Sequence, residues 1–225
     1  MFVAFDVGET LVHYEGVALD WSAHYRFALG HALAVSDAEI DPQALAAALE
    51  ILQFYNTRRN PRTFEIEAGE VTRKLAALFA VPHAAFERGF FGYFSRRSAI
   101  APGAHDLLVS LKQAGAYIVA LSDVPYGMPA TMLVEDLREL SPLFDRVASS
   151  CDLGVRKPSG EGLRRLWREA GAPARACYVG NEEKDMQAAR AAGMAGVLVS
   201  SSREAPDYGQ HQTVTDMQAL RALLL

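Results

Sequence analysis

Cysteine is almost missing from this chain. Cys151 and Cys177 are the only two, and each sits in an apolar, strand-like stretch. That suits small buried hydrophobes in a reducing compartment rather than reactive thiols. Long apolar runs are missing as well: nothing approaches the ~20 residues that span a bilayer. No charged segment followed by an apolar one opens the chain. A cytoplasmic protein with no membrane partner is therefore expected. Nor is there an excess of positive charge. Lys and Arg number 22 against 27 Asp and Glu, a net charge of −5. Nucleic acid and anionic membrane surfaces favour basic faces, so neither is expected as the main partner. A small phosphorylated molecule is not excluded, because there a local cation and one or two lysines matter more than the global sign. Repeats of fixed period and low-complexity tracts are absent too.

What remains is a chain of 225 residues, half of them hydrophobic, with ordinary charge content. It is long enough for one sizeable core, or for a core plus a small second domain. Phe2-Val3-Ala4-Phe5 reads as a buried strand that delivers Asp6 to a turn at Val7-Gly8-Glu9-Thr10. The next eighty or so residues then change to helical spacing. Helices are predicted over 21–34, from Asp41-Pro42 through Tyr55, over 66–79 and over 83–96. The acid before Pro42 is a helix-start signal. Phe86, Phe90, Phe91 and Phe94 form a stripe suited to a bundle core.

From Ile100 onward helix and strand alternate. Strands are predicted at 116–121, 146–150, 176–179, 196–199 and near 213–214, with helices at 103–114, 129–140, 160–170, 184–192 and 217–224. Such alternation implies an α/β fold, a parallel sheet with helices on both faces. The first strand must rejoin that sheet, so the helical block is an insertion into it. The expected division is a core of residues 1–13 and 99–225 and a helical unit of residues 14–98.

Four strand ends carry matching chemistry. Asp6 follows the first strand, where open α/β sheets place their crevices, although Asp and Gly are also ordinary turn residues. Ser122-Asp123 ends the 116–121 strand; it offers a hydroxyl and backbone N–H groups to a phosphoryl oxygen, or a helix cap before Pro125. Lys157 stands before Pro158 on a restricted backbone. It is a fixed positive charge for an anionic substrate, or a solvated loop lysine. Gly180-Asn181-Glu182-Glu183-Lys184-Asp185 ends the 176–179 strand. Acids in a first helical turn are favoured by the helix dipole. One of them could instead complete an oxygen site for Mg²⁺ with Asp6. The spacing points to Asp185, or to Asn181 as a neutral ligand or water-holder.

Taken in order, Phe5-Asp6-Val7-Gly8-Glu9-Thr10-Leu11, Leu121-Ser122-Asp123, Arg156-Lys157-Pro158 and Val179-Gly180-Asn181-Glu182-Glu183-Lys184-Asp185 with Ala191-Ala192-Gly193-Met194 resemble the four motifs of the haloacid dehalogenase superfamily of aspartate-nucleophile hydrolases. The helical insertion is similar to that family's cap of the first type, on a Rossmann-like core. The resemblance implies a Mg²⁺-dependent phosphatase acting on a small phosphorylated metabolite. Asp6 would be nucleophile and metal ligand, with the Gly8 carbonyl and Asp185 as further ligands and Asn181 beside them. Ser122, Asp123 and Thr10 would meet the phosphoryl group, and Lys157 would neutralise it and Asp6.

Two departures stand out. The phosphatase pattern is D-x-D-x-T, and its second Asp, the general acid and base, is here Gly8. Glu9 or, more remotely, His13 are the candidates to replace it. Asn181 stands where the fourth motif usually has Asp. Two other readings follow from these departures: a family member that binds or regulates without turnover, and a metal-independent dehalogenase-type hydrolase.

Overall fold

The computed structural model describes residues 1–202 and 204–225. Strand β1 (Phe2–Phe5) is followed by a short strand β2 (Val12–Tyr14), and then by helices α1 (Tyr25–Val35), α2 (Pro42–Tyr55), α3 (Glu70–Leu78) and α4 (His83–Ser95). Strand β3 (Ser98–Ile100) returns the chain from this bundle by pairing antiparallel with β2, His13 opposite Ala99. The rest alternates: α5 (Ala104–Gln113), β4 (Tyr117–Ser122), α6 (Ala130–Leu137), β5 (Arg146–Ser149), the one-turn α7 (Ser150–Leu153), α8 (Glu161–Glu169), β6 (Ala176–Gly180), α9 (Glu183–Ala192), β7 (Ala195–Val199), β8 (Gln212–Val214) and α10 (Met217–Leu224).

The main sheet has six strands in the order β5-β4-β1-β6-β7-β8, and every pair in it is parallel. The expected α/β architecture, a Rossmann-like sheet with an inserted helical bundle, is the one observed. All four residues of β1 are fully buried. Phe2 and Ala4 pack on one face with Leu163, Leu166 and Tyr178. Val3 and Phe5 pack on the other, in a core that continues into the bundle through Phe86, Phe90, Phe91 and Phe94. The phenylalanine stripe is thus core, as its spacing suggested.

Local chemistry explains the element ends. Asp41 caps α2, its carboxylate accepting from the N–H groups of Gln43 and Ala44, with Pro42 in the first turn. Ser149 and Asp152 cap α7 reciprocally. Three readings shift. The first predicted helix opens as a 3₁₀ turn over Trp21–His24, because Asp20 caps at Ser22. Helix α3 starts four residues late, at Glu70, since Glu65 is drawn into contacts elsewhere and Gly69 turns the chain at φ 72°. Helix α6 stops at Leu137, where Arg138 takes φ 47° and its guanidinium donates to the Ser98 carbonyl. Strands β2 and β3 are too short to leave an alternating pattern. Among the described residues, no helix is long and apolar enough to cross a membrane.

Phe5 sits at the centre of this packing, fully buried, whereas Phe54 on α2 is 70% exposed. Phe5→Ala is expected to lower unfolding stability by about 3–5 kcal/mol, against within about 0.5 kcal/mol for Phe54→Ala. Denaturant titrations of the two variants check this.

Candidate active site

Register brings three strand ends to one edge. Phe5 lies level with Ala120 of β4 and Val179 of β6, and the Asp6 N–H donates to the Val179 carbonyl. Asp6, Ser122 and the turn after Gly180 therefore meet at the carboxyl edge. There the chain order reverses on either side of β1, which is the position where such sheets form crevices. A cavity lies here, lined by Asp6, Gly8, Glu9, Ser122, Asp123, Glu182 and Lys184 from the core and closed over by residues of the helical insertion.

Lys157 is the hub. Its Nζ lies 2.5 Å from Asp6 Oδ1 and 2.7 Å from Asp185 Oδ1, and it donates to the Tyr178 hydroxyl at 3.0 Å. Tyr178 in turn donates to the Leu121 carbonyl. All three charged side chains are nearly or fully buried. Burial opposes the ammonium, but Asp185 and Asp6 outweigh it and hold the Lys157 pKa well above the usual lysine value. Burial pushes the Asp6 carboxyl up to about 7; Lys157 opposes that rise and Asp185 adds to it. A site holding two carboxylates and one ammonium has room for further positive charge.

Asp185 reaches this position by folding back over the start of α9. Its Oδ2 accepts from the N–H groups of Asn181 and Glu182 at 3.1 and 2.9 Å. A Cβ on Gly180 would lie 2.5 Å from that same oxygen, so the close approach requires glycine there. The other oxygen, Oδ1, is buried and is not aligned to accept a hydrogen bond from Lys157 or any other described residue. Two buried carboxylates, Asp6 and Asp185, gathered on one ammonium form a donor set that suits an oxygen-seeking cation. Among the described residues, no group of three or more His, Cys, Asp and Glu side chains forms a ligand cluster. A divalent ion here would rest on Asp6, Asp185, a backbone carbonyl and water. Magnesium favours such a set, few carboxylates and several waters.

Two residues past Asp6, the Gly8 position is open. A Cβ built on Gly8 meets nothing within 4 Å, and Gly8 keeps an ordinary backbone conformation. Glu9, at φ 57°, turns its carboxylate to β2. There it pairs with His13 Nδ1 at 3.0 Å and accepts from the Tyr14 N–H at 3.2 Å. His13 lines a separate groove on the far side of this loop, shared with Thr10 and Asn181. Thr10 is buried, and its hydroxyl donates to Asn181 Oδ1 at 3.2 Å. This pair clasps the first loop to the fourth and lies outside the crevice lining. Ser122 does line the crevice. Asp123 lines it too, but its Oδ1 accepts from the Lys157 N–H at 3.1 Å and so orients the lysine loop.

Two long-range contacts left no sequence signal. Arg58, in the loop after α2, forks onto Glu182 at 2.5 and 2.9 Å, and Lys184 joins that carboxylate at 2.8 Å. Burial works to raise the Glu182 pKa, but the Arg58 and Lys184 charges outweigh it and hold it at about 2. Deeper in, the Glu65 side chain is fully buried and binds Arg156, Ser150 and Arg62. Phe64 and Val155 form an antiparallel bridge beside them. Arg58 and Glu65 both belong to the loop joining α2 and α3, so this one loop straps the bundle across the crevice.

Over residues 1–193 the chain matches the family model of haloacid dehalogenase-like hydrolases. A phosphoglycolate phosphatase from Caulobacter vibrioides is 34% identical over 104 residues, which cover 46% of this chain and 43% of that protein. The match thus spans less than half the length of this relative. Two solved structures share the fold along nearly the whole chain. A 2-haloacid dehalogenase from Pseudomonas syringae pv. Tomato DC3000 has a TM-score of 0.69 at 18% identity, covering 99% of this chain and 97% of its own. A HAD phosphatase from Thermococcus onnurineus has a TM-score of 0.65 at 17% identity, covering 99% and 96%. With the sheet order, the strand-end residues and this match in agreement, the chain belongs to the haloacid dehalogenase-like hydrolases.

Proposed function

We propose that the protein is a Mg²⁺-dependent phosphatase of a small phosphomonoester, working through an aspartyl-phosphate on Asp6. One observation carries the reading: Asp6 lines the floor of the crevice while a buried ammonium, Lys157, joins it to Asp185. The Asp6 carboxylate attacks phosphorus, a new O–P bond forms, and the bond to the leaving oxygen breaks. Lys157 holds Asp6 in place and opposes the negative charge gathering around phosphorus. Ser122, lining the crevice, donates to a phosphoryl oxygen. Water then opens the acyl phosphate, which releases phosphate and restores the carboxylate. Bound Mg²⁺ would add charge that offsets the phosphoryl group and favours ionised Asp6. The residues to hold it are Asp6, Asp185 and the Gly8 carbonyl.

Proton transfer is the weak step. The leaving oxygen needs a proton, and the attacking water must lose one. Gly8 supplies no acid, and the Glu9 carboxylate is held by His13 and Tyr14. Solvent water must then do this work. These observations also favour a second reading, in which the protein binds a phosphomonoester and releases phosphate slowly or not at all.

A panel of phosphomonoesters separates the two. The wild type with Mg²⁺ is expected to release phosphate above the Asp6→Asn variant, and chelation of the metal should reduce it to that level. No release above Asp6→Asn on any ester would sink the phosphatase reading and leave binding alone.

Gly8→Asp tests the missing acid. The position is sterically open, and a placed carboxyl group contributes typically ~10²–10⁴-fold in such steps. A rise in kcat toward that range is expected, with little change in KM. An unchanged kcat would mean that another step limits turnover.

A further inference from the structure

The wall of the crevice opposite Asp6 differs in character from its floor. Tyr14, Val17, Leu19, Trp21, Tyr126 and Met128 line it. Trp21 lies 6.0 Å from the Tyr14 ring and 6.1 Å from the Tyr126 ring, between centroids, and stacks at 3.7 Å on Phe94 behind it. Leu19 at the rim is 47% exposed. The tyrosine hydroxyls of this wall are engaged elsewhere. The Tyr14 hydroxyl donates to buried Asp136 at 2.6 Å, and the Tyr126 hydroxyl shares a 2.6 Å hydrogen bond with Tyr25. Asn56 donates to Asp20 and the Tyr25 hydroxyl, while its Oδ1 accepts from the Arg58 N–H.

Cations in the lining already have carboxylate partners. Arg58 and Lys184 share Glu182, and Arg156 is held by Glu65. A carboxylate on the leaving group would compete with Glu182 for Arg58 and Lys184 and would face Glu182 across the same space. Bringing like charges together in a partly buried space is unfavourable. An uncharged ring or alkyl body would instead lie against the rings of Tyr14, Trp21 and Tyr126 without disturbing the hydrogen bonds of the two tyrosine hydroxyls.

We infer that the crevice selects phosphomonoesters whose leaving group is uncharged and carries an aromatic or bulky apolar body, and discriminates against small acidic esters. For the phosphoryl end this rests on the phosphatase reading; the wall itself is argued independently of turnover. The Caulobacter vibrioides relative is named for an acidic substrate, phosphoglycolate, so the two proteins would differ in the wall rather than at the floor.

Two phosphonates form a matched test pair, benzylphosphonate and phosphonoacetate. They share the head group and one methylene and differ in phenyl against carboxylate. Binding of each to the full chain with Mg²⁺ is read by titration calorimetry. Benzylphosphonate is expected to bind at least ~10-fold tighter, a ring contact plus burial being large enough for that. Trp21→Ala should erase most of the preference, and Trp21→Phe, which keeps a ring and guards against mere misfolding, should retain it. Equal or tighter phosphonoacetate binding overturns the inference, as does a preference untouched by Trp21→Ala, or binding of neither compound. Because the readout is binding, an inert protein that still prefers benzylphosphonate supports this inference while contradicting the phosphatase reading. Phosphate release without that preference does the reverse.

Discussion

The site depends on one buried ammonium. Lys157 is all but inaccessible to solvent, and so are the two carboxylates it bridges. Removing one member of such a group leaves a charge stranded in a poor dielectric, at a cost of about 3–5 kcal/mol. The surrounding chain is arranged to keep Lys157 in place. Asp123 fixes its backbone N–H, the Tyr178 hydroxyl accepts from its ammonium, and Leu121 anchors Tyr178. Each of these partners comes from β4, β6 or the turn just after β4, and those two strands flank β1. The sheet order is therefore part of the electrostatics, because only a central β1 brings Asp6 between those two neighbours.

The same loop that carries Lys157 also holds the helical bundle. Arg156 points its guanidinium to Glu65 and the Val124 carbonyl, while Lys157 turns to Asp6. Adjacent residues thus serve the strap and the floor. On the outside, Arg58 and Glu182 make a second closure, with Glu182 only three residues before Asp185 along the chain. Ion pairs of this exposure contribute little to stability on their own. Their effect here is positional: they fix the aromatic wall of Tyr14, Trp21 and Tyr126 over the nucleophile position and leave few free charges in the lining.

Much of this was legible in the sequence, and the parts that were not share a cause. Continuous apolar runs at Phe2–Phe5 and Tyr117–Leu121 marked buried parallel strands, and acids or hydroxyls at their ends marked the crevice. Asp6, Ser122, Lys157 and Asp185 could be picked out because strand and motif order carry position. Thr10 and Asn181 could not be placed that way. A hydroxyl and an amide pair as readily with each other as with a ligand, and here they form a clasp outside the crevice. The direction of the Glu9 carboxylate depends on the left-handed backbone at that residue and on β2, a strand of three residues. The pairings of Arg58 with Glu182 and of Glu65 with Arg156 could not be read from the sequence. These two pairs span 124 and 91 residues of chain, where spacing carries no information.

The central claim is that the Asp6 carboxylate takes the phosphoryl group. It is tested most directly by acid-quenching the enzyme during turnover with Mg²⁺ and mapping the chain by mass spectrometry. The account predicts a phosphoryl adduct confined to the N-terminal peptide that contains Asp6, absent from Asp6→Asn. Phosphate release that persists in Asp6→Asn with no adduct on that peptide would contradict it.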